Sequence, residues 1–331
     1  MRILLLGATG TIGQAVAKAL LDFGYHVVCP LRQRADDKRG GSVAAREAGL
    51  VGTDVRADVR TDSAGTALLT QLEALQHERF DAIVSCLASR TGAPKDAWAV
   101  DYGMNSALLK LAQQAGIKHF VLLSAICVQK PLLAFQQAKL AFEQELINSG
   151  IRYSIVRPTA FFKSLSGQLR RVRDGKPFML FGDGQLTACK PISDDDLAQF
   201  IAHCLTDQQK FNRILPIGGP GNAITPLEQG HYLFNQLGMR PRFMHVPVAL
   251  LSTIIVGLDA FKILLPSLAD KAALAKIGRY YATESMLIWD ATRQRYDADA
   301  TPSFGSRTLF DHYDRLLAEG RTVDLGDHAV F

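Results

Sequence analysis

Residues 1–34, MRILLLGATGTIGQAVAKALLDFGYHVVCPLRQR, read as strand, glycine-punctuated turn, helix and second strand. Arg2 to Leu6 form a short apolar run suited to a buried parallel strand. Gly7, Gly10 and Gly13 follow, with Ile12, Val16, Ala19 and Leu20 at helical spacing. Glycine is needed where the backbone turns sharply and where it approaches a pyrophosphate with no Cβ in the way. The helix start offers unpaired N–H groups and a positive dipole end to that anion. Gly7, Thr9, Gly10, Thr11, Ile12 and Gly13 are therefore the expected dinucleotide contacts. A glycine pattern alone is weak, but the four elements in this order make a strong signal.

The end of the second strand indicates which nucleotide. An acidic side chain there grips the ribose 2′-hydroxyl of NAD, whereas arginine suits the 2′-phosphate of NADP. Tyr25 to Cys29 runs into Pro30, Leu31, Arg32, Gln33 and Arg34. Guanidinium groups match phosphate oxygens in a planar, bidentate way. The expected cofactor is NADPH, with Arg32 ahead of Arg34. A solvated basic loop is the bland alternative, since Lys38 and Arg39 follow.

Strand and helix patterns alternate through the first half, which predicts an α/β fold with a Rossmann-type, doubly wound parallel sheet. A third strand ends near Asp58, and Ala64 to Leu75 is helical. Phe80 to Cys86 is the fourth strand, Met104 to Ala115 a helix, and Lys118 to Ser124 the fifth strand. Leu132 to Asn148 is a long helix and Ile151 to Arg157 the sixth strand. The division expected is an NADP-binding core over 1–157 and a C-terminal substrate-side region over 158–331. That region returns strands to the sheet near Lys190–Ile192 and Arg213–Ile217.

Ligands of open α/β sheets sit outside the carboxyl ends of the strands. Asp58 and Val59 after the third strand are placed for the adenine edge, with an ordinary strand-end loop as the equal alternative. Cys86, Leu87 and Ala88 after the fourth lie under the ribose and nicotinamide half, and Pro158 and Phe161 after the sixth close the site.

Composition sets the outer limits. A 331-residue chain with 48% hydrophobic residues supplies an ample core without repeats. Five widely spaced cysteines without a C-x-x-C pair point to reduced thiols and against a zinc site or disulfide frame. A net charge of +5 suits anionic small molecules, and no nucleic-acid-binding motif is present. No basic-then-apolar leader precedes the first strand, from which a cytoplasmic, bacterial setting is expected. Val248 to Leu265 is near membrane-spanning length, but Asp259 and Lys262 interrupt it and Pro266 closes it. A buried or groove-lining helix is the reading. A membrane-surface helix, and so peripheral membrane contact, is the minority alternative.

The order of parts resembles the short-chain dehydrogenase/reductase superfamily in its extended or atypical branch. There a serine ends the fifth strand and a Tyr-x-x-x-Lys pair sits on the next helix. Ser124 matches the serine and Lys139 the lysine, so the resemblance makes these two the catalytic candidates. Phe135 stands where the tyrosine would be, and a spacing of four keeps it on one helix face with Lys139. Without the phenol, ordinary alcohol/ketone chemistry is disfavoured. Reduction of a conjugated vinyl group fits better, because charge left by hydride addition spreads over the π-system and protonation can come from lysine, another side chain or water.

Several segments carry a narrower resemblance. CLASRTGAPKDAW, HFVLLSAICVQKPLLAFQQAKLAFEQEL, YSIVRPTAFFKSL, GDGQLTACKPIS, YYATESML and TPSFGSRTL are similar to the 3,8-divinyl chlorophyllide 8-vinyl-reductases, over essentially the whole chain. The resemblance implies NADPH-dependent reduction of the 8-vinyl group of a magnesium tetrapyrrole in chlorophyll or bacteriochlorophyll synthesis. It implies Tyr280, Tyr281 and Glu284 as substrate contacts, with Phe135 beside them. Phe161 and Phe162 follow the sixth strand at the mouth of the nicotinamide site, placed to stack on the ring, with core aromatics under the substrate loop as a nearly equal alternative. Lys163, Arg170, Arg171 and Arg173 are candidates for the ring's propionate, with a solvated helix face as the commoner meaning of such a run. His119, His203, His231 and His245 are all available to the magnesium, nothing singles one out, and no metal ligand is named. The alternative function is a non-catalytic, NmrA-like NADP-binding redox sensor, in which phenylalanine also replaces the tyrosine.

Overall fold

The computed structural model describes residues 1–30, 54–56, 79–261 and 268–320. Its centre is a seven-stranded sheet, all parallel, in the order β3-β2-β1-β4-β5-β6-β8. The strands are β1 (Arg2–Leu6), β2 (His26–Pro30), β3 (Asp54–Arg56), β4 (Ala82–Ser85), β5 (His119–Leu123), β6 (Arg152–Pro158) and β8 (Arg213–Ile217). Ile3, Leu4, Leu5, Leu6, Val27, Val28, Ala82, Ile83, Val84 and Val121 are almost wholly buried, as a sheet covered on both faces requires. Strand order reverses between β1 and β4, and a crevice opens at such a switch point.

Helix Thr11–Asp22 packs against helix Asp194–His203. Its buried stripe, Gly13, Val16, Ala17, Ala19 and Leu20, is rich in small side chains that let the two helices approach closely. Region 158–331 is thus interleaved with the sheet, supplying β8 and this covering helix. It also builds a second core around Phe162, Val172, Phe178, Leu233, Phe234 and Tyr313. A small parallel pair, β7 (Phe178–Phe181) with β9 (Phe243–Val246), and a hairpin, β10 (Ile288–Asp290) with β11 (Arg295–Asp297), belong to this region.

Three expected elements differ, and the helix expected over Ala64 to Leu75 lies outside the described residues. No strand returns to the sheet at Lys190–Ile192, where Ile192 makes only an isolated parallel bridge to Phe161. The helix expected from Met104 runs on from a π-helical turn at Trp98–Met104. Asn105 stabilises the wide turn by donating from Nδ2 to the carbonyls of Asp101 at 3.1 Å and Val100 at 3.4 Å. Helix Val248–Phe261 packs on helix Leu268–Thr283 but leaves Leu250, Ile254 and Val256 exposed, so it is largely superficial instead of buried. No described helix is long and apolar enough to cross a membrane.

Candidate active site

The glycine turn is shaped by close approach. Gly7 has φ +78°, and a Cβ there would lie 2.5 Å from the carbonyl oxygen of Cys86. A Cβ on Gly13 would lie 2.0 Å from the Gly7 carbonyl oxygen, so the helix can start this near the turn only with glycine. Gly10 caps helix Thr11–Asp22 without a side-chain hydrogen bond, and no acidic residue stands in its first turn. Its leading N–H groups are therefore left for an anion, and the residues present fit a dinucleotide pyrophosphate. The side chain of Gln14 braces the turn by donating to the Thr9 carbonyl at 3.0 Å. Lys163, from the segment after β6, reaches across to donate to Thr11 Oγ1 at 3.3 Å.

The loop after β4 continues beneath this turn. Cys86 N–H donates to Leu6 at 2.9 Å, and burial pushes the Cys86 thiol up to about 12, leaving it a neutral thiol. Ser85 Oγ donates to Asn105 Oδ1 at 2.6 Å, and Ser89 N–H donates to Asp101 Oδ1 at 3.3 Å. These bonds fix the path of Cys86, Leu87 and Ala88 at the strand ends. Pro158 ends β6 opposite Ile217, and Phe161 bridges to Ile192 while packing on the main core. Arg32, Arg34, Asp58 and Val59 lie outside the described residues.

Helix Ala134–Ile147 carries Phe135 and Lys139. Its start is held by Gln136, whose Oε1 accepts from Leu132 and Leu133 while its Nε2 donates to the Cys127 carbonyl at 3.1 Å. Lys139 Nζ is 2.9 Å from Asp101 Oδ1, with 11% of the Lys139 side chain exposed and none of Asp101's. Phe135, one turn earlier, packs with Ile277, Tyr280 and Met286 and is 9% exposed.

Other expected site residues are engaged elsewhere. Ser124 donates to Glu143 Oε1, and Glu143 is also gripped by Arg157. Phe162, expected at the mouth of the site, points into the second core against His312. Tyr280 is buried and donates to the Cys127 carbonyl at 2.9 Å. Glu284 accepts from Lys130 and Tyr296, each at 2.5 Å, in a cluster where the Lys130 ammonium also lies over the Trp289 ring. Tyr281 keeps 37% of its surface exposed.

The basic run does not form one anion pocket. Arg170 pairs with Asp174, Arg171 donates to the Pro177 carbonyl and Arg173 to the Gly320 carbonyl, leaving Lys163 beside the glycine turn. The histidines are structural in their surroundings. His119 faces Ser154 and Phe211, His203 meets Phe23 edge-on, His231 meets Phe243, and His245 bonds the Gly182 carbonyl. No group of three metal-ligating side chains occurs among the described residues.

Asp101, Asn105, Ser85, Glu143 and Gln136 were not singled out in the sequence. The available signal for Asp101 was one acid inside the apolar run AWAVDYGM, four residues before Asn105.

Residues 7–208 match the family described as NAD(P)H-binding. The chain is 49% identical to the chloroplastic divinyl chlorophyllide a 8-vinyl-reductase of Cucumis sativus, over 99% of this chain and 79% of the relative. It is 48% identical to the maize (Zea mays) protein of the same name, over 99% of this chain and 82% of that protein. The NADPH complex of leucoanthocyanidin reductase from Vitis vinifera superposes with a TM-score of 0.66 at 18% identity, covering 96% of this chain and 100% of that one. The cucumber and maize reductases are chloroplastic, which overturns the bacterial cytoplasmic setting expected from the N-terminus.

Proposed function

The chain belongs to the divinyl chlorophyllide a 8-vinyl-reductase family, and from that premise we propose that Lys139 is the residue on which its reaction turns. The protein is an NADPH-dependent oxidoreductase of chlorophyll biosynthesis that reduces the 8-vinyl group of its pigment substrate to ethyl.

The turn Gly7–Gly13 would hold the pyrophosphate, with Cys86, Leu87, Ala88, Pro158 and Phe161 along the nicotinamide half. Bound there, NADPH supplies the hydride. Lys139 would bond the nicotinamide ribose and supply, from its ammonium, the proton taken up at the vinyl group's inner carbon. No phenol is needed at position 135, because the charge left on the vinyl group delocalises over the macrocycle and no localised alkoxide forms. Phe135 instead keeps that side of the site apolar. Exclusion of water by the bound pigment would strengthen the field of the Lys139 ammonium.

The observation that carries this reading is a lysine held in a nearly dry ion pair, one helical turn from a phenylalanine in the tyrosine position. The test is incubation with NADPH and divinyl chlorophyllide, followed by absorbance. The parent protein gives a small blue shift of the Soret band, and folded Lys139→Ala gives none. Activity of Lys139→Ala within a few-fold of the parent overturns the role of Lys139. NADPH binding with an unchanged pigment spectrum in the parent is the behaviour of a sensor.

A further inference from the structure

We propose that Asp101 is a positioning residue that holds and aims the Lys139 ammonium, an inference that rests on the reading of Lys139 given above. Lysine is a point charge on a flexible four-carbon stem, and unrestrained it samples many rotamers. Here one carboxylate oxygen lies 2.9 Å from Nζ, on a residue 1% exposed, so the ammonium is tied from below. The remaining N–H bonds are left for the ribose and the reacting vinyl group.

Asp101 is itself held at both its side chain and its backbone. Its Oδ1 also accepts from Ser89 N–H at 3.3 Å. Its backbone carbonyl accepts from Asn105 Nδ2 at 3.1 Å, and Asn105 is fixed in turn by Ser85 Oγ at 2.6 Å. The π-helical turn Trp98–Met104 presents Asp101 toward helix Ala134–Ile147, with which it is in close contact. π-turns cost stability relative to a regular helix and concentrate at functional sites.

The other carboxylate oxygen, Oδ2, is buried and has no hydrogen-bond partner among the described residues. A pair built for stability alone would have both oxygens satisfied, since an unpaired buried lone pair of an ionised group is expensive. The arrangement instead gives up that bond and keeps a negative charge within 3 Å of the reactive cation.

A double-mutant cycle tests the proposal. Asp101→Asn preserves shape while removing the charge. We expect kcat to fall about tenfold or more through misplacement of Lys139, with the pigment KM little changed. In the Lys139→Ala background, which has no turnover left to lose, the same substitution should have no further effect on the NADPH dissociation constant. Asp101→Glu should recover part of the loss, which a purely structural role would not predict. Thermal melting checks folding, and Asp101→Ser serves the same cycle if Asp101→Asn does not fold. Full activity of Asp101→Asn beside an inactive Lys139→Ala overturns the positioning role alone, as does a loss of NADPH affinity on adding Asp101→Asn to Lys139→Ala. Full activity of Lys139→Ala overturns the underlying reading of the lysine as well.

Discussion

Ser124 and Glu143 are joined by a hydrogen bond of 2.5 Å, and the same carboxylate is clamped by Arg157. The three side chains come from the end of β5, helix Ala134–Ile147 and β6, so the bond fastens elements together at the sheet's carboxyl edge. Ser124 therefore enters the site with its proton already directed to Glu143. Ser124→Ala should destabilise the protein by about 1.5–3 kcal/mol, the range for a hydrogen bond to a charged group. Vinyl reduction should remain within a few-fold of the parent. A hundredfold loss of turnover in a protein of normal thermal stability would restore the catalytic role implied by the superfamily resemblance.

Gly7→Ala should abolish NADPH binding. The substitution forces an L side chain to φ +78° and drives its Cβ against the Cys86 carbonyl at 2.5 Å. The strained backbone contributes roughly 1–3 kcal/mol, and the clash displaces the turn from the pyrophosphate. Fluorescence titration of NADPH reads the loss. Affinity unchanged within twofold would show that the turn is not the pyrophosphate cradle.

Arg32→Ala should raise the NADPH Michaelis constant and leave the weak use of NADH nearly unchanged, because a guanidinium at the second strand's end answers only to the 2′-phosphate. Steady-state kinetics with both cofactors decides it. Equal loss with NADPH and NADH would move Arg32 away from the 2′-position.

Phe135→Tyr should not accelerate vinyl reduction. The ring packs among Ile277, Tyr280 and Met286, where a new hydroxyl must find a partner or incur a desolvation cost on the order of 1–3 kcal/mol. The expected result is equal or slower turnover and a lower melting temperature. A large rate gain would mean that a phenol is needed after all and that charge delocalisation over the macrocycle is insufficient.

Stability should fall on mild acidification through His119. Burial, with the neighbouring Arg152 charge adding to it, lowers this imidazole from 6.5 to about 4. The unfolded chain then binds a proton between these values that the folded chain refuses. The His119 contribution is fully present above about pH 6.5 and is lost progressively as pH falls toward 4, by roughly 3 kcal/mol at most. Urea unfolding at pH 7 and pH 5 measures it, and His119→Gln should flatten the difference. An identical pH slope in the variant would assign the acid sensitivity to other groups.

Much of the fold was legible along the chain because it is written locally. β1 spans Arg2–Leu6 as expected, β8 spans Arg213–Ile217, and the long helix begins within two residues of its expected start. Apolar runs of strand length and helical spacing depend on neighbours a few residues away, so they survive reading in one dimension. The family was likewise legible, through segments spread over the whole chain. The π-turn was not, since it depends on the Asn105 side chain folding back onto the carbonyls of Val100 and Asp101.

The site divides on the same line. Residue types at Gly7, Gly13, Phe135 and Lys139 followed from the sequence alone, because each is set by backbone shape or by position on one helix. What they touch was decided only by tertiary structure. Lys139 meets Asp101 across 38 positions of chain, Lys163 meets Thr11 across 152, and Ser124 meets Glu143 across 19. Phe162 turned into the second core while its neighbour Phe161 stayed with the main one, a difference invisible to periodicity. Pairings of this kind arise when whole elements pack, and burial then forces each charged or polar group to find a partner at whatever distance along the chain the fold delivers one.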